Sequence, residues 1–332
     1  MKSARFLLLA ALAAWALPAC DSSGRALGTA TSIIVLAADS VWAGIGDSVL
    51  TALEPRIRTV RNERTFEVTH ISPADPKWQE LREFRQIVAI GSTDDAWVQP
   101  IVASAQAAAE RTGMVAARDV WARNQLAIAV VTPPGDGAAA LPHLDRVGAV
   151  IDSLFRIYVV QRMYTSEADT ALRDALRETH GVTILLPNVY SPVERTGNVI
   201  QFQNNTTVGG DLARSVLITW RDGVLTPSAD AALAWRDSIG GDYNPAQRTL
   251  VESAREAPIE QGASNAVEVQ GAWEGIDPSW PMGGLFIARM IACPEQSRTY
   301  LVDAWLYAPG PRRSKYEYMI QLQTILGTFE CA

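Results

Sequence analysis

Thiol chemistry is the first question this chain poses. It holds three cysteines, Cys20, Cys293 and Cys331. No Cys-x-x-Cys or Cys/His cluster is present, so neither a dithiol redox centre nor a zinc site is built from them. Cys20 closes the stretch Leu17-Pro18-Ala19-Cys20. Ahead of it, Lys2 and Arg5 make a short positive region and Phe6 to Ala16 an uncharged apolar run. That run is too short to cross a bilayer, which needs roughly 20 apolar residues, and has the length of an export signal. A cysteine behind small Ala19 can take lipid on its sulfur, become the new N-terminus and be acylated there. Several acyl chains anchor stably, because each buried CH₂ contributes about 0.8 kcal/mol. Residues 1–19 therefore read as a bacterial lipoprotein signal, with Cys20 lipidated and the body facing the periplasm. Pro18 is uncommon at its position, and Asp21 leaves inner and outer membrane both open. Ordinary cleavage after Ala19, with Cys20 an incidental thiol, is the alternative.

If Cys20 carries lipid, two thiols remain in an oxidising compartment. Gly284–Ala292 and Arg298–Tyr307 look like a hairpin, which puts Cys293 beside the start of its second strand. A helix over Ser314–Phe329 would return antiparallel and bring Cys331 to the same edge. A Cys293–Cys331 bond is the expectation, contributing roughly 3–4 kcal/mol in the chain-entropy model. Two unpaired thiols are the alternative.

Catalytic templates fail one by one. Histidine occurs only at His70, His143 and His180, with no partner at metal-ligand spacing and no His-Glu-x-x-His. Gly46-Asp47-Ser48-Val49 resembles the opening block of the lipase/esterase family named for Gly-Asp-Ser-Leu. However, Ser48 falls inside a predicted helix, and no histidine follows His180 to serve as base. Gly-x-Ser-x-Gly, Walker-type and Gly-x-Gly-x-x-Gly loops are absent. Asp94-Asp95 is better explained by helix capping, although a dispersed carboxylate pair acting on glycans stays open. Among the many tryptophans, Trp220, Trp235, Trp273 and Trp305 sit where core packing explains them. Trp280 sits in the loop Ile276–Gly284, where no period demands it, so Trp280, Met282, Gly283 and Gly284 form one candidate binding loop. Glu194 and Arg195, in a surface turn, form a second.

The elements that must position these residues change rhythm along the chain. After a polar tether over 20–30, strands are predicted at Ser32–Ala38, Thr65–Ile71, Ile87–Ile90, Met114–Ala122 and Leu126–Val131. They alternate with helices over Val41–Glu54, over Trp78–Arg85 and from Asp94 or Asp95 to about Arg111, an α/β pattern. A long helical region over Leu141–Thr179 breaks near Tyr164–Glu167. Strands then follow at Val182–Leu186, Val199–Phe202 and Leu212–Trp220, with a helix at Ser228–Ile239. Three more occupy Val267–Trp273, Gly284–Ala292 and Thr299–Tyr307, with the closing helix behind them. Three strands and a helix, twice, suggest a weak pseudo-repeat and an antiparallel meander flanked by helices. The fold class is mixed α+β and α/β, with an N-terminal domain over 31–180 and a C-terminal one over 181–332.

A formal net charge of −7, without any basic run, argues against nucleic acid and against direct contact with an anionic membrane surface. Trp273, then Met282-Gly283-Gly284-Leu285-Phe286, then Leu306-Tyr307-Ala308-Pro309, then a closing helix with Tyr318, Leu322, Ile325 and Leu326 make a recognisable series. With the lipobox and the early Asp39 and Trp42, it resembles the uncharacterised bacterial envelope lipoproteins of domain of unknown function 4837. The family form has Pro after Gly-Gly, where this chain has Leu285. The resemblance implies an anchored envelope protein and carries no activity, catalytic residue, metal or cofactor with it. The expectation is binding or assembly, with an envelope protein as partner. A carrier of an apolar or aromatic ligand lined by the tryptophans, and an envelope hydrolase, are the alternatives.

Overall fold

The computed structural model describes residues 24–58, 62–105, 113–206, 212–243, 245–259, 265–279, 281–309 and 315–332. Cys20 and its neighbours Leu17, Pro18, Ala19 and Asp21 lie outside them, as does Trp280. The chain divides into two compact units. One comprises 1–45 and 69–140, the other 46–68 and 141–332. The division near residue 180 expected from the change in rhythm is thus not where compactness changes. The long helical region belongs wholly to the second unit, and so does a short early stretch.

In the first unit, β1 (Ser32–Leu36) leads into α1 (Asp39–Leu53), which runs past the division. The short strands β2 (Arg56–Arg58) and β3 (Asn62–Arg64) pair antiparallel and belong to the second unit. Then come β4 (Glu67–Ile71), α2 (Trp78–Leu81), β5 (Gln86–Gly91), α3 (Gln99–Ser104), β6 (Gly113–Arg118) and β7 (Leu126–Val131). The sheet order is β4-β1-β5-β7-β6, with β1, β5 and β7 mutually parallel and β6 antiparallel to β7. β5 and β7 are continuous apolar runs because strands of this kind are buried on both faces. Trp78 of α2 and Ile101 of α3 pack on Ile34, Ile87 and Ala129 on one of them. The strand expected to reach Ala122 stops at Arg118, because Asp119 takes a positive φ of 58° and turns the chain back. Neither Asp94 nor Asp95 caps a helix: α3 begins at Gln99 behind Val98, which makes no side-chain cap bond, and the Asp95 carboxylate accepts the Ser92 N–H at 2.7 Å within a local turn.

In the second unit, α4 (Leu144–Met163) and α5 (Thr170–His180) are separated at Tyr164–Ser166. The break is where sequence placed it. Glu167 stands at φ 68°, and Asp169 caps α5 by accepting from the Leu172 N–H at 2.9 Å. β8 (Val182–Thr183), β9 (Ser191–Val193), β10 (Val199–Thr206) and β11 (Leu212–Asp222) precede α6 (Ala229–Gly240). β12 (Gln247–Ala257), β13 (Ala266–Gly275), β14 (Gly283–Cys293) and β15 (Arg298–Tyr307) precede α7 (Lys315–Gly327) and β16 (Glu330–Cys331). Seven of these strands form one antiparallel sheet of order β12-β13-β14-β15-β11-β10-β9. β8, expected within this sheet, pairs with β16 instead.

Two meanders, each followed by a helix, thus meet along β11 and β15. Their helices pack on opposite faces, which follows from strand alternation. Leu301, Trp305, Phe286 and Ala288 turn toward Ala232 and Trp235 of α6. Val302, Ala304, Leu306 and Ile287 turn toward Leu322, Ile325 and Leu326 of α7. Where the interior strand β14 ends, Cys293 is joined to Cys331 in a disulfide, with Cα atoms 6.0 Å apart.

Candidate functional site

A cavity of about 610 Å³ lies within the second unit. Its floor is the α7-facing side of the sheet beyond the helix. Gln270 and Ala272 of β13 stand opposite Ile287 and Leu285 of β14 in the strand register, so the four share one face. One wall comes from α7, where Tyr316, Met319, Ile320 and Gln323 line the space. Their spacing of three and four residues places them on a single helix face. The facing wall comes from α4 through Gly148, Ile151, Asp152 and Arg156, and the stretch Leu53–Phe66 supplies Leu53, Ile57 and Phe66. Gly148 lets α4 approach the last turn of α1. A Cβ there would sit 2.7 Å from the Ala52 carbonyl oxygen.

The lining is apolar with polar groups at defined places, as small-molecule sites usually are. Phe66 meets Phe155 edge-on at 5.4 Å between ring centroids, and Phe155 stacks on Tyr316 at 5.9 Å. The Tyr316 hydroxyl donates to Asp152 Oδ1. Arg156 donates from Nε to Asp152 Oδ2 at 2.8 Å and from Nη2 to the Tyr316 oxygen at 2.9 Å. Burial, and then the bond to Asp152, push the Tyr316 hydroxyl well above its ordinary pKa, so it stays a neutral donor. Both Asp152 oxygens are therefore engaged. Deeper, Glu268 is completely buried and ion-paired to Arg289. Its Oε1 accepts from Gln270 Nε2 at 2.8 Å and from Gln323 Nε2 at 3.2 Å.

On the α6 face lies a second polar cluster, sealed from solvent. Arg236 and Asp303 are both fully buried and joined at 3.0 Å. Arg236 also donates to Thr249 Oγ1 and Gln247 Oε1, each at 2.9 Å. The Tyr243 hydroxyl donates to Asp303 Oδ2 at 2.6 Å. Each of the three Arg236 nitrogens donates to protein and the side chain is fully buried, so this cluster organises the core and is not open to a ligand.

The residues singled out from sequence fall elsewhere. Among the described cavity-lining residues there is no tryptophan. Trp273 and Trp305 pack edge-on in the α6-face core instead. Met282 packs against the same core. Gly283 and Gly284 open β14, and Gly284 is there for close packing: a Cβ would lie 1.9 Å from the Leu306 carbonyl oxygen and 2.8 Å from Trp273 Nε1. Arg195 ties its loop down by donating to Gln201 Oε1 at 2.6 Å and the Asp242 carbonyl at 2.9 Å, while Glu194 is exposed beside it. The histidines take packing roles. His70 stacks on Trp42 at 4.3 Å, and His180 lies 5.6 Å from Trp220. Among the described residues no group of three metal-ligating side chains converges. The cavity residues carried one sequence signal, the spacing of Tyr316, Met319, Ile320 and Gln323 on a single helix.

Residues 169–328 match the family model described as Domain of unknown function (DUF4837). No curated protein matches the chain. Among solved structures, the Saccharomyces cerevisiae Ran-binding protein Mog1p is similar at 12% identity and a TM-score of 0.33, over 46% of this chain and 90% of that one. A Bacteroides thetaiotaomicron protein is similar at 8% identity and TM-score 0.28, over 46% and 45%. Human StAR-related lipid transfer protein 5 is similar at 9% identity and TM-score 0.18, over 54% and 94%. At these TM-scores none of the three carries an argument about function.

Proposed function

We propose that this protein is a lipid-anchored component of a bacterial cell envelope and that it works by binding a small amphipathic molecule in the cavity of its second unit. The observation that carries the reading is the cavity itself, about 610 Å³ and lined by apolar side chains with Asp152, Arg156, Gln270 and Gln323 set among them. Pockets that hold small molecules run from roughly 300 to 1,000 Å³ and pair apolar lining with a few placed polar groups. The anchor rests on the apolar run and Cys20. Cys20→Ser should release the protein from membranes into the soluble fraction, and a variant that stays membrane-bound would refute the anchor. Binding is tested with an apolar fluorophore titrated into the purified protein, together with native mass spectrometry of material extracted from membranes. Filling the cavity with Ile287→Trp or Met319→Trp should abolish binding while the far-UV spectrum is kept. Wild type that binds no probe and carries no ligand would overturn the reading.

A second reading has one observation in its favour. Asp145, Asp152 and Glu256 all line the same cavity, the arrangement a carboxylate-based envelope hydrolase would need. Asp152 is a poor acid or base because both of its oxygens are engaged. Turnover of glycan substrates that is lost in Asp145→Asn or Glu256→Gln would establish this reading in place of the first.

A further inference from the structure

We infer that the polar end of the cavity's ligand is a cationic hydrogen-bond donor, a primary ammonium group. The inference rests on the cavity being a ligand site and names the chemistry it selects. It starts from Glu268, which is completely buried and does not itself line the cavity. An ion-paired carboxylate can only accept hydrogen bonds. The amides of Gln270 and Gln323, both within reach of Glu268 Oε1 at 2.8 and 3.2 Å, must therefore turn their nitrogens to it. Each carbonyl oxygen lies in its amide plane turned away from the nitrogen that Glu268 holds, and among the described residues no hydrogen-bond donor reaches either one. Both glutamines line the cavity. The cavity thus presents two acceptors whose orientation is fixed from behind, by a charge the ligand never touches.

The remaining charges agree. Asp152 and Arg156 neutralise one another across 2.8 Å. That leaves the exposed Asp145 and Glu256 against the exposed Arg255, an excess of negative charge at the cavity's rim. The Tyr316 hydroxyl is used up between Asp152 and Arg156. Rings of Phe66 and Tyr316 also line the space, and aromatic faces attract a cation. An anionic head group would meet two carbonyl oxygens and surplus carboxylates. An ammonium meets acceptors, and its apolar chain meets Ile57, Ile151, Leu285 and Ile287.

The test compares three amphiphiles of equal chain length, each below its micelle concentration, displacing an apolar fluorophore from the full chain. Dodecylamine carries charge and N–H donors, dodecyltrimethylammonium carries charge alone, and laurate carries the opposite charge. Dodecylamine should bind at least about tenfold tighter than dodecyltrimethylammonium, since hydrogen bonds to a charged donor contribute roughly 1.5–3 kcal/mol, and laurate should bind weakest. Gln323→Met should weaken dodecylamine about tenfold and leave laurate unchanged, with Gln270→Met as a second variant should the first not fold. Ile287→Trp should abolish all three. Laurate or dodecyltrimethylammonium binding as tightly as dodecylamine, with all three lost in Ile287→Trp, would overturn the ammonium inference and leave the cavity a ligand site. Failure of all three to saturate, with the fluorophore itself unbound, would overturn the ligand-site reading as well.

Discussion

Asp303→Asn is the substitution whose cost the structure fixes best. Asp303 and Arg236 are each completely shielded from solvent and meet at 3.0 Å. The change removes the negative charge while keeping the shape of the side chain. Arg236 is then left with neutral acceptors alone, Thr249, Gln247 and the amide oxygen of the new side chain, and with the Phe286 ring 4.0 Å from its Cζ. No water can reach it. Breaking a buried pair by removing one partner costs about 3–5 kcal/mol, because the surviving charge has lost its compensation. For a unit of roughly 150–250 residues each kcal/mol moves the midpoint by about 2–4 °C, so the expected fall in Tm is about 6–20 °C. The companion variant Arg236→Met strands the opposite charge and should lose a similar amount. The double variant Arg236→Met with Asp303→Leu replaces the pair by apolar groups and should be more stable than either single one. Urea unfolding followed by far-UV dichroism measures all three. Singles that each cost under about 1 kcal/mol, or a double variant no more stable than the less stable single, would refute the reasoning.

Tyr190 is buried, its hydroxyl has no hydrogen-bond partner among the described residues, and burial pushes its pKa up to about 12. With a folded pKa above the unfolded value near 10, its stabilising share is intact below pH 10 and is lost as pH rises toward 12. At roughly 1.4 kcal/mol per unit, Tyr190→Phe should cost little at neutral pH and flatten the alkaline decline by about 2–3 kcal/mol, which unfolding across pH 9–12 would measure. Gly284→Ala drives a methyl group into the Leu306 carbonyl oxygen and the Trp273 ring; strand β14 must shift, and the variant should be recovered insoluble or with a Tm lowered by 10 °C or more. Cys331→Ser opens a disulfide whose ends are 38 residues apart; the chain-entropy model puts the loss at about 4 kcal/mol, and a variant unfolding at the wild-type urea midpoint would contradict it.

What sequence could and could not tell follows from where each signal is stored. β7 carries its whole signal locally, as an unbroken apolar run, and its observed limits coincide with those read from the chain. The break between α4 and α5 was equally local. β12 was missed because its sequence, Gln-Arg-Thr-Leu-Val-Glu-Ser-Ala-Arg-Glu-Ala, is rich in helix formers and charge. As an edge strand with a bulge between Leu250 and Arg255 it needs no alternating pattern. Arg236 drew no expectation from sequence, since nothing within α6 reveals that Asp303, far along the chain, pairs with it. The cavity was illegible for the same reason. Leu53, Arg156, Gln270, Ile287 and Gln323 come from five elements, and only the tertiary fold brings them together. Trp235, Trp273 and Trp305 are packed in the core as their places on regular elements led one to expect, so a ligand carrier lined by the tryptophans finds no support in the described cavity lining.

The way the two units share the chain also governs how the molecule can be made and cut. Residues 46–68 belong to the second unit although they precede most of the first, and they bring Leu53 and Phe66, both nearly inaccessible to solvent. A ribosome or an export channel delivering the chain from its N-terminus presents this stretch long before strands β9 to β15 exist. The second unit therefore cannot close until the last helix has emerged, and its early piece spends that time with apolar side chains unburied. Fragments inherit the same difficulty. A chain started at residue 169, where the family match begins, would lack α4 and the Leu53–Phe66 stretch, and with them a whole side of the cavity. Such a fragment should expose Ile287, Met319 and Ile320 to water and aggregate, so the matched segment is better regarded as part of a folding unit than as one complete in itself.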